Sequence, residues 1–440
     1  MRSLCLRQIC GVVILIVFLP FLASGSDVLQ MSAKAVKSPV AGIARITSKQ
    51  ILPEPSFPEP SAGKPVIDPT FGTSLQRLTD AGLLKQPGVV PDYSKRQAFS
   101  PDGKYLLLRN TESQALLFSA KDYSFIKPLE GVAGEDLFWD PRHPGTLLFA
   151  IENVLSSCDV VSGKIKEIHR FDGYAFADTR GEGNLSLDGR YYAIACRTYD
   201  AKSGDVGYKN LLVFDLQEMR EIARLAFPPK IENFDWVSIS PRGNYVVVDY
   251  ADTEKGRFHG VEVYDRNLKN IWQKPLGAGH SDIGLDINGD EVLVMDIYDE
   301  QRNQTLIKKF RLSDGKETEL FAVSPLFDLH ISCRNTARPG WCYISTFDYV
   351  QRLTHNANDF LPFEDEIFAL SLDGNATTER LAHHHSRRFA PNAPDADHSC
   401  YFAEPHASVS PEGDRIIFGS NWNHEVNNAS ALDTFLIDLR

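Results

Sequence analysis

Short apolar runs alternate with polar turns along most of the chain, and the pattern recurs. One unit is a turn of the type Ser-Pro-Asp-Gly, an apolar strand, a polar loop, a second strand ending in Asp, and a third strand. It begins at Ser100-Pro101-Asp102-Gly103, before Tyr105 to Leu108. A weaker copy starts at Trp139-Asp140-Pro141-Arg142. The next start at Ser186-Leu187-Asp188-Gly189, Ser240-Pro241-Arg242-Gly243 and Asp286-Ile287-Asn288-Gly289. A divergent sixth covers Ile331 to Leu381, and a seventh begins at Ser410-Pro411-Glu412-Gly413. Proline presets one turn dihedral and glycine accepts a positive one. The runs that follow are rich in Val, Ile, Tyr and Phe, as half-buried strands prefer.

A spacing of roughly 35 to 50 residues is a blade period. A single four-stranded blade cannot bury both faces, whereas blades arranged radially cover one another. Seven starts therefore predict an all-β fold, a seven-bladed β-propeller. The seventh unit runs out of chain after three strands, ending at Leu436-Ile437-Asp438. Phe71 to Thr79 can supply the fourth, so an N-terminal strand is expected to close the last blade. An open solenoid or two sandwiches are the alternatives.

The N-terminus departs from this pattern. Arg2 and Arg7 precede the apolar run Ile9 to Leu22, and Ala23-Ser24-Gly25 follows. That order reads as a secretory signal peptide over residues 1–25; the alternative is an uncleaved membrane anchor, although the run is shorter than the roughly 20 residues of a spanning helix. Five prolines between Pro53 and Pro65 mark residues 26–68 as a Pro-rich linker, expected to be extended or disordered. The propeller is assigned to residues 69–440. The expectation is an exported chain, periplasmic or secreted, with no membrane attachment after cleavage.

A net charge of −12 argues against nucleic acid as a partner, because phosphate binding needs clustered Lys and Arg. A basic cleft for an anionic substrate remains compatible with it. Export permits disulfides. Cys333 and Cys342, flanking a turn-rich segment, are the best pair, and the odd number of cysteines after the signal leaves at least one thiol unpaired. No phosphate loop, nucleophile elbow or H-E-x-x-H is present.

Histidine carries the chemical signal. His280, His330 and His406 each stand just before, or at the start of, a blade's first strand. Equivalent positions of successive blades meet at one end of the channel, so three imidazoles are expected to converge, with Glu404 as an oxygen donor. That is a transition-metal ligand set. The bland reading of each His is a blade-top residue bonded to the neighbouring Asp. Arg180 and Arg257 are placed on loops facing the same channel, and arginine suits carboxylate capture. His383-His384-His385 could also bind metal, but is read first as a solvated loop.

The repeats at Ser100, Ser240 and Ser410 resemble those of TolB-type propellers. The stretch Glu404-Pro405-His406-Ala407-Ser408-Val409-Ser410-Pro411-Glu412-Gly413, followed by Phe418 to Asn421, resembles the last blade of oligogalacturonate lyases. That resemblance implies a manganese-type divalent metal in the channel and β-elimination on an acidic oligosaccharide. It implies His280 as base, Arg257 as assisting arginine, and His330 and His406 as metal ligands, joined here by Glu404. The family's motif before the last blade has a Gln and two closely spaced His, whereas this chain has Glu404 and His406 with only His398 nearby. The alternative is a non-catalytic TolB-like propeller that binds a protein or glycan of the cell envelope. The two readings separate on whether the three imidazoles lie together.

Overall fold

The structure is a computed structural model that describes residues 46–231, 233–277, 279–348, 360–388, 401–424 and 431–440. The signal segment, His398 and Cys400 lie outside these residues.

The strands form seven antiparallel sheets. In chain order the innermost strands are Val89–Val90, Asp136–Trp139, Phe176–Asp178, Trp236–Ile239, Ser281–Leu285, Phe327–Ser332 and Ser408–Val409, and they open blades I to VII. The repeated turn is built as its residues require. Ser100 Oγ accepts the amides of Lys104 (3.1 Å) and Tyr105 (2.9 Å) and donates to Asp102. Gly103 sits at φ +67°, a conformation that disfavours side chains.

Apolar residues collect into seven large buried clusters, one for each seam between neighbouring blades. The seam between VII and I contains Ile417 and Leu436 from one side and Leu106 and Leu108 from the other. Every seam is therefore filled and the sheets close into a ring. Closure uses the N-terminal segment as expected. Ser74–Arg77 pairs antiparallel with Asp433–Asp438, with Leu75 opposite Ile437. Asp433 ties the two together by accepting from Arg77 Nη2 (2.5 Å), Thr79 Oγ1 (2.6 Å) and the Ala81 amide (2.9 Å).

The end of the proline-rich stretch has a defined place. Pro65–Ile67 adds a fifth strand to blade VII by pairing with Ser74–Gln76. Upstream, residues 46–60 form an extended strap along the outer edge of blade VI and against the loop that follows Arg415–Ser420 in blade VII. Arg380 Nη1 donates to the Gln50 carbonyl (2.6 Å), His383 Nε2 meets the Leu52 carbonyl (2.9 Å), and Trp422 Nε1 donates to that of Phe57 (3.0 Å). Arg380 is itself bound to Glu366, with both side chains fully buried. The strap covers the backbone edge that the outer strand Thr378–His383 would otherwise expose.

A disulfide joins Cys333 to Cys342, while Cys158 and Cys196 are free and buried. No helix among the described residues is long and apolar enough to cross a membrane.

Candidate metal centre

In a propeller blade the innermost strand starts at one end of the channel, and three of these starts make the site. Residues two apart in a strand point the same way. In Phe327–Ser332, Leu329 and Ile331 enter the seam between V and VI, which turns Asp328 and His330 to the other side. His280 immediately precedes Ser281–Leu285. Its carbonyl accepts the Asp296 amide (3.0 Å). Gly279 lets this happen, because a Cβ there would lie 2.1 Å from the Asp296 carbonyl oxygen. Glu404 and His406 precede Ser408–Val409. His406 holds φ +42°, a costly backbone for a non-glycine residue, and Pro405 between them accepts the Gly419 amide (2.8 Å).

The three imidazoles do lie together. The ring centroid of His330 is 4.6 Å from that of His280 and 4.2 Å from that of His406. Glu404 Oε2 stands 3.5 Å from Nε2 of both His330 and His406. Donor atoms of these three residues all fall within 4.8 Å of one another, and all three residues are buried. Ligands held about 2.1 Å from one cation are separated by roughly 3–4 Å, so the set is of the right size. Phe347 stacks on His330 at 5.2 Å, and Tyr93 touches both His330 (5.5 Å) and His406 (5.3 Å), which excludes water.

The protonation states follow from the surroundings. Burial, with the charges of His406, His280 and Arg388, pushes His330 well below the ordinary histidine range. It is neutral, the form that ligates. No hydrogen bond reaches either of its ring nitrogens. Burial raises Glu404 to about 7 against the opposing pull of Arg388 and His280. Burial would lower His280, but the Asp328 carboxylate outweighs it and, with Asp296 and Glu404, raises it to about 9. The Asp328 contact is His280 Nδ1 to Oδ1 at 3.0 Å.

Of the residues singled out by sequence, the structure brings His280, His330, Glu404 and His406 together. Arg257 is engaged within its own blade. That guanidinium binds Glu262 (2.7 Å) and the Tyr264 hydroxyl (3.2 Å) on the third strand of blade IV. Glu262 is fully buried and needs a cation, which accounts for the placement. Among the described residues Arg388 reaches the cluster, with Nε 2.9 Å from Glu404 Oε1, and the charge of Lys95 also bears on His330. Lys95 Nζ lies 2.7 Å from Glu182, 3.5 Å from Ser281 Oγ and 4.1 Å from the centre of the Trp236 ring. Arg180 stands 3.7 Å from Glu135. His280 bonds Asp328 of the next blade rather than the neighbouring Asp282, whose carboxylate is taken by Arg334.

Sequence reading missed Asp328, Arg388, Lys95 and Tyr93. Only Asp328 left a signal, the two-residue spacing to His330 that marks a shared strand face. His383, His384 and His385 are a correction, being buried rather than solvated. His384 Nε2 meets the Thr346 carbonyl (2.9 Å), and His385 Nδ1 lies 3.1 Å from Glu54 of the strap.

No protein-family model and no curated protein matches the chain. Solved structures do. An oligogalacturonate lyase from Vibrio parahaemolyticus superposes with a TM-score of 0.61 at 13% identity, covering 85% of this chain and 96% of that one. An oligogalacturonate lyase in complex with manganese gives 0.57 at 12% identity, covering 86% and 96%. The chain thus has the seven-bladed propeller fold that these lyases have.

Proposed function

We propose that His330, Glu404 and His406 hold a divalent cation, and that the chain uses this centre with His280 for β-elimination on an acidic, uronic-acid oligosaccharide. The observation that carries the reading is His330. It is fully buried and neutral, and it lies between Glu404 and His406. Leaving a buried polar group unbonded costs about 1–3 kcal/mol, and a cation would remove that cost. The donor set, imidazole nitrogen with carboxylate oxygen, suits manganese or zinc.

Elimination removes the proton beside the sugar carboxylate, forms a carbon–carbon double bond conjugated to it, and expels the glycosidic oxygen. A bound cation would polarise that carboxylate and, by repulsion, favour the neutral form of His280. Asp328, on His280 Nδ1, directs the lone pair of the neutral ring to Nε2. Nε2 is then the atom that takes the proton. Arg388 and Lys95 bring positive charge to the same pocket, which favours an anionic substrate. The exported location belongs to the same proposal, since such oligosaccharides are met outside the cell. The mass of the mature chain tests cleavage near Gly25.

The deciding experiment is elemental analysis of wild type and His330→Ala. Stoichiometric metal in the first and none in the second supports the centre. A screen of uronic-acid oligomers for the ultraviolet absorbance of the unsaturated product then tests the reaction. No bound metal after reconstitution with manganese or zinc refutes it. Full lyase activity in His280→Ala would remove the base from its role.

The docking reading has an observation of its own. At the opposite end of the inner strands lies a cavity of about 250 Å³, lined by apolar residues including Pro101, Leu137, Trp139, Leu187 and Pro411. A partner bound there would leave the histidine cluster untouched, so binding that survives His330→Ala would favour this second reading.

A further inference from the structure

The strap and the histidine cluster belong to different parts of the sequence, yet one short run connects them. Glu54, on the strap, has Oε1 3.1 Å from His385 Nδ1 and 3.5 Å from Arg387 Nη2. His385 also packs on Trp422, with ring centroids 4.3 Å apart. Its backbone is at φ +52°, a conformation that something must hold. From the other side Asn421 clamps Arg387, accepting its amide (2.8 Å) and donating to its carbonyl (2.7 Å). The Asn423 amide donates to the His385 carbonyl (2.7 Å). The next residue is Arg388, which meets Glu404 at 2.9 Å.

We propose that the strap is a positioning element of the His330–Glu404–His406 cluster, with Glu54 holding the run from His385 to Arg388 so that Arg388 reaches Glu404. Glu54 shares the charge of Arg387 with Asp365, which lies 3.2 Å from Nη1, and fixes the His385 ring, and the peptide bond to Arg388 carries that constraint onward. Removing it lets Arg388 withdraw, and Glu404 loses its aim at the two imidazoles. Partners of ligating carboxylates act on the centre in this way. The inference rests on the metal reading for only one of its two readouts.

The test uses the full chain and compares Glu54→Gln and Glu54→Ala with Glu59→Gln. Glu59 anchors the same strap through Arg77 (3.0 Å) and His424 (3.4 Å), so its loss removes a separate anchor and leaves every contact of Glu54 in place. In metal-free protein with isotope-labelled histidine, the ring resonances of His330 and His406 shift in both Glu54 variants and stay in place in Glu59→Gln. By calorimetry, the dissociation constant for manganese or zinc rises about 10-fold in the Glu54 variants and is unchanged in Glu59→Gln. Unmoved resonances in the Glu54 variants, or equal shifts in Glu59→Gln, overturn the proposal. Shifted resonances in a wild-type protein that binds neither ion keep the coupling and reject the metal.

Discussion

Replacing Asp433 with alanine tests how the ring is closed. This carboxylate is fully buried, and burial pushes its pKa up against the pull of Thr79 and Arg77. Its four hydrogen bonds all go to the N-terminal segment: two from Arg77, one from Thr79 and one from the Ala81 amide. In Asp433→Ala the Thr79 hydroxyl and the Ala81 amide lose their acceptor, at about 1–3 kcal/mol for each buried group. Arg77 is partly compensated, because Glu59 (3.0 Å) and the Thr79 carbonyl (3.0 Å) remain. Breaking a buried pair costs about 3–5 kcal/mol, and the compensation places this variant near about 3 kcal/mol. Asp433→Asn keeps an acceptor for Thr79 and Ala81 but puts an NH2 donor where Oδ2 accepts both Arg77 bonds, so it should cost about 1–2 kcal/mol, less than alanine. Urea unfolding followed by tryptophan fluorescence measures both. An alanine variant within about 1 kcal/mol of wild type, or an asparagine variant as damaged as the alanine one, would refute the reasoning.

Acidification should loosen the strap in two stages. Burial lowers His383 to about 3, with Glu54 opposing, so its stabilisation is complete above the unfolded value of about 6.5 and is lost as pH falls from there toward 3. Burial raises Glu54 but His385 and Arg387 outweigh it and hold it well below the carboxylate range, adding a loss that begins below about pH 4.3. Hydrogen exchange over residues 46–60 at pH 7, 5 and 4 reads this, and protection that does not fall with pH would contradict it. Gly279→Ala forces a Cβ to within 2.1 Å of the Asp296 carbonyl oxygen; the displacement should cost about 1–3 kcal/mol and lower any His280-dependent activity, checked by unfolding and turnover together. Leu75→Ala empties a fully buried position in the seam between VI and VII and should cost about 2–5 kcal/mol, read by the urea midpoint.

The fold was legible because its signal is repeated. Each Ser-Pro-Asp-Gly turn fixes the same local geometry, and the strand Ser74–Arg77 could be matched to the place left open beside Asp433–Asp438. The site was legible only where residues hold equivalent positions in successive blades, as His280, His330 and His406 do. Arg388 reaches the cluster from the segment between blades VI and VII, and Lys95 lies between the first two strands of blade I, so neither holds the position that the three histidines share. The triplet His383 to His385 looked solvated because its cover, the strap, comes from more than 300 positions away, as the His383 to Leu52 contact spans 331. Arg257, read as a guanidinium on a channel-side loop, is bound by the buried Glu262 five residues later, a contact that the repeat does not report.

The pairing of Ser74–Arg77 with Asp433–Asp438 also fixes an order of events during synthesis. Arg77 and Asp433 are 356 residues apart. At about 5–20 residues per second, the ribosome needs roughly 20–70 s to make the second strand after the first. Throughout that interval six blades can assemble one upon the next, while Leu75 and its neighbours wait without the sheet that buries them. Ring closure is therefore the slow, late event, and a nascent chain stalled before Asp433 would present an open, adhesive edge to whatever is near.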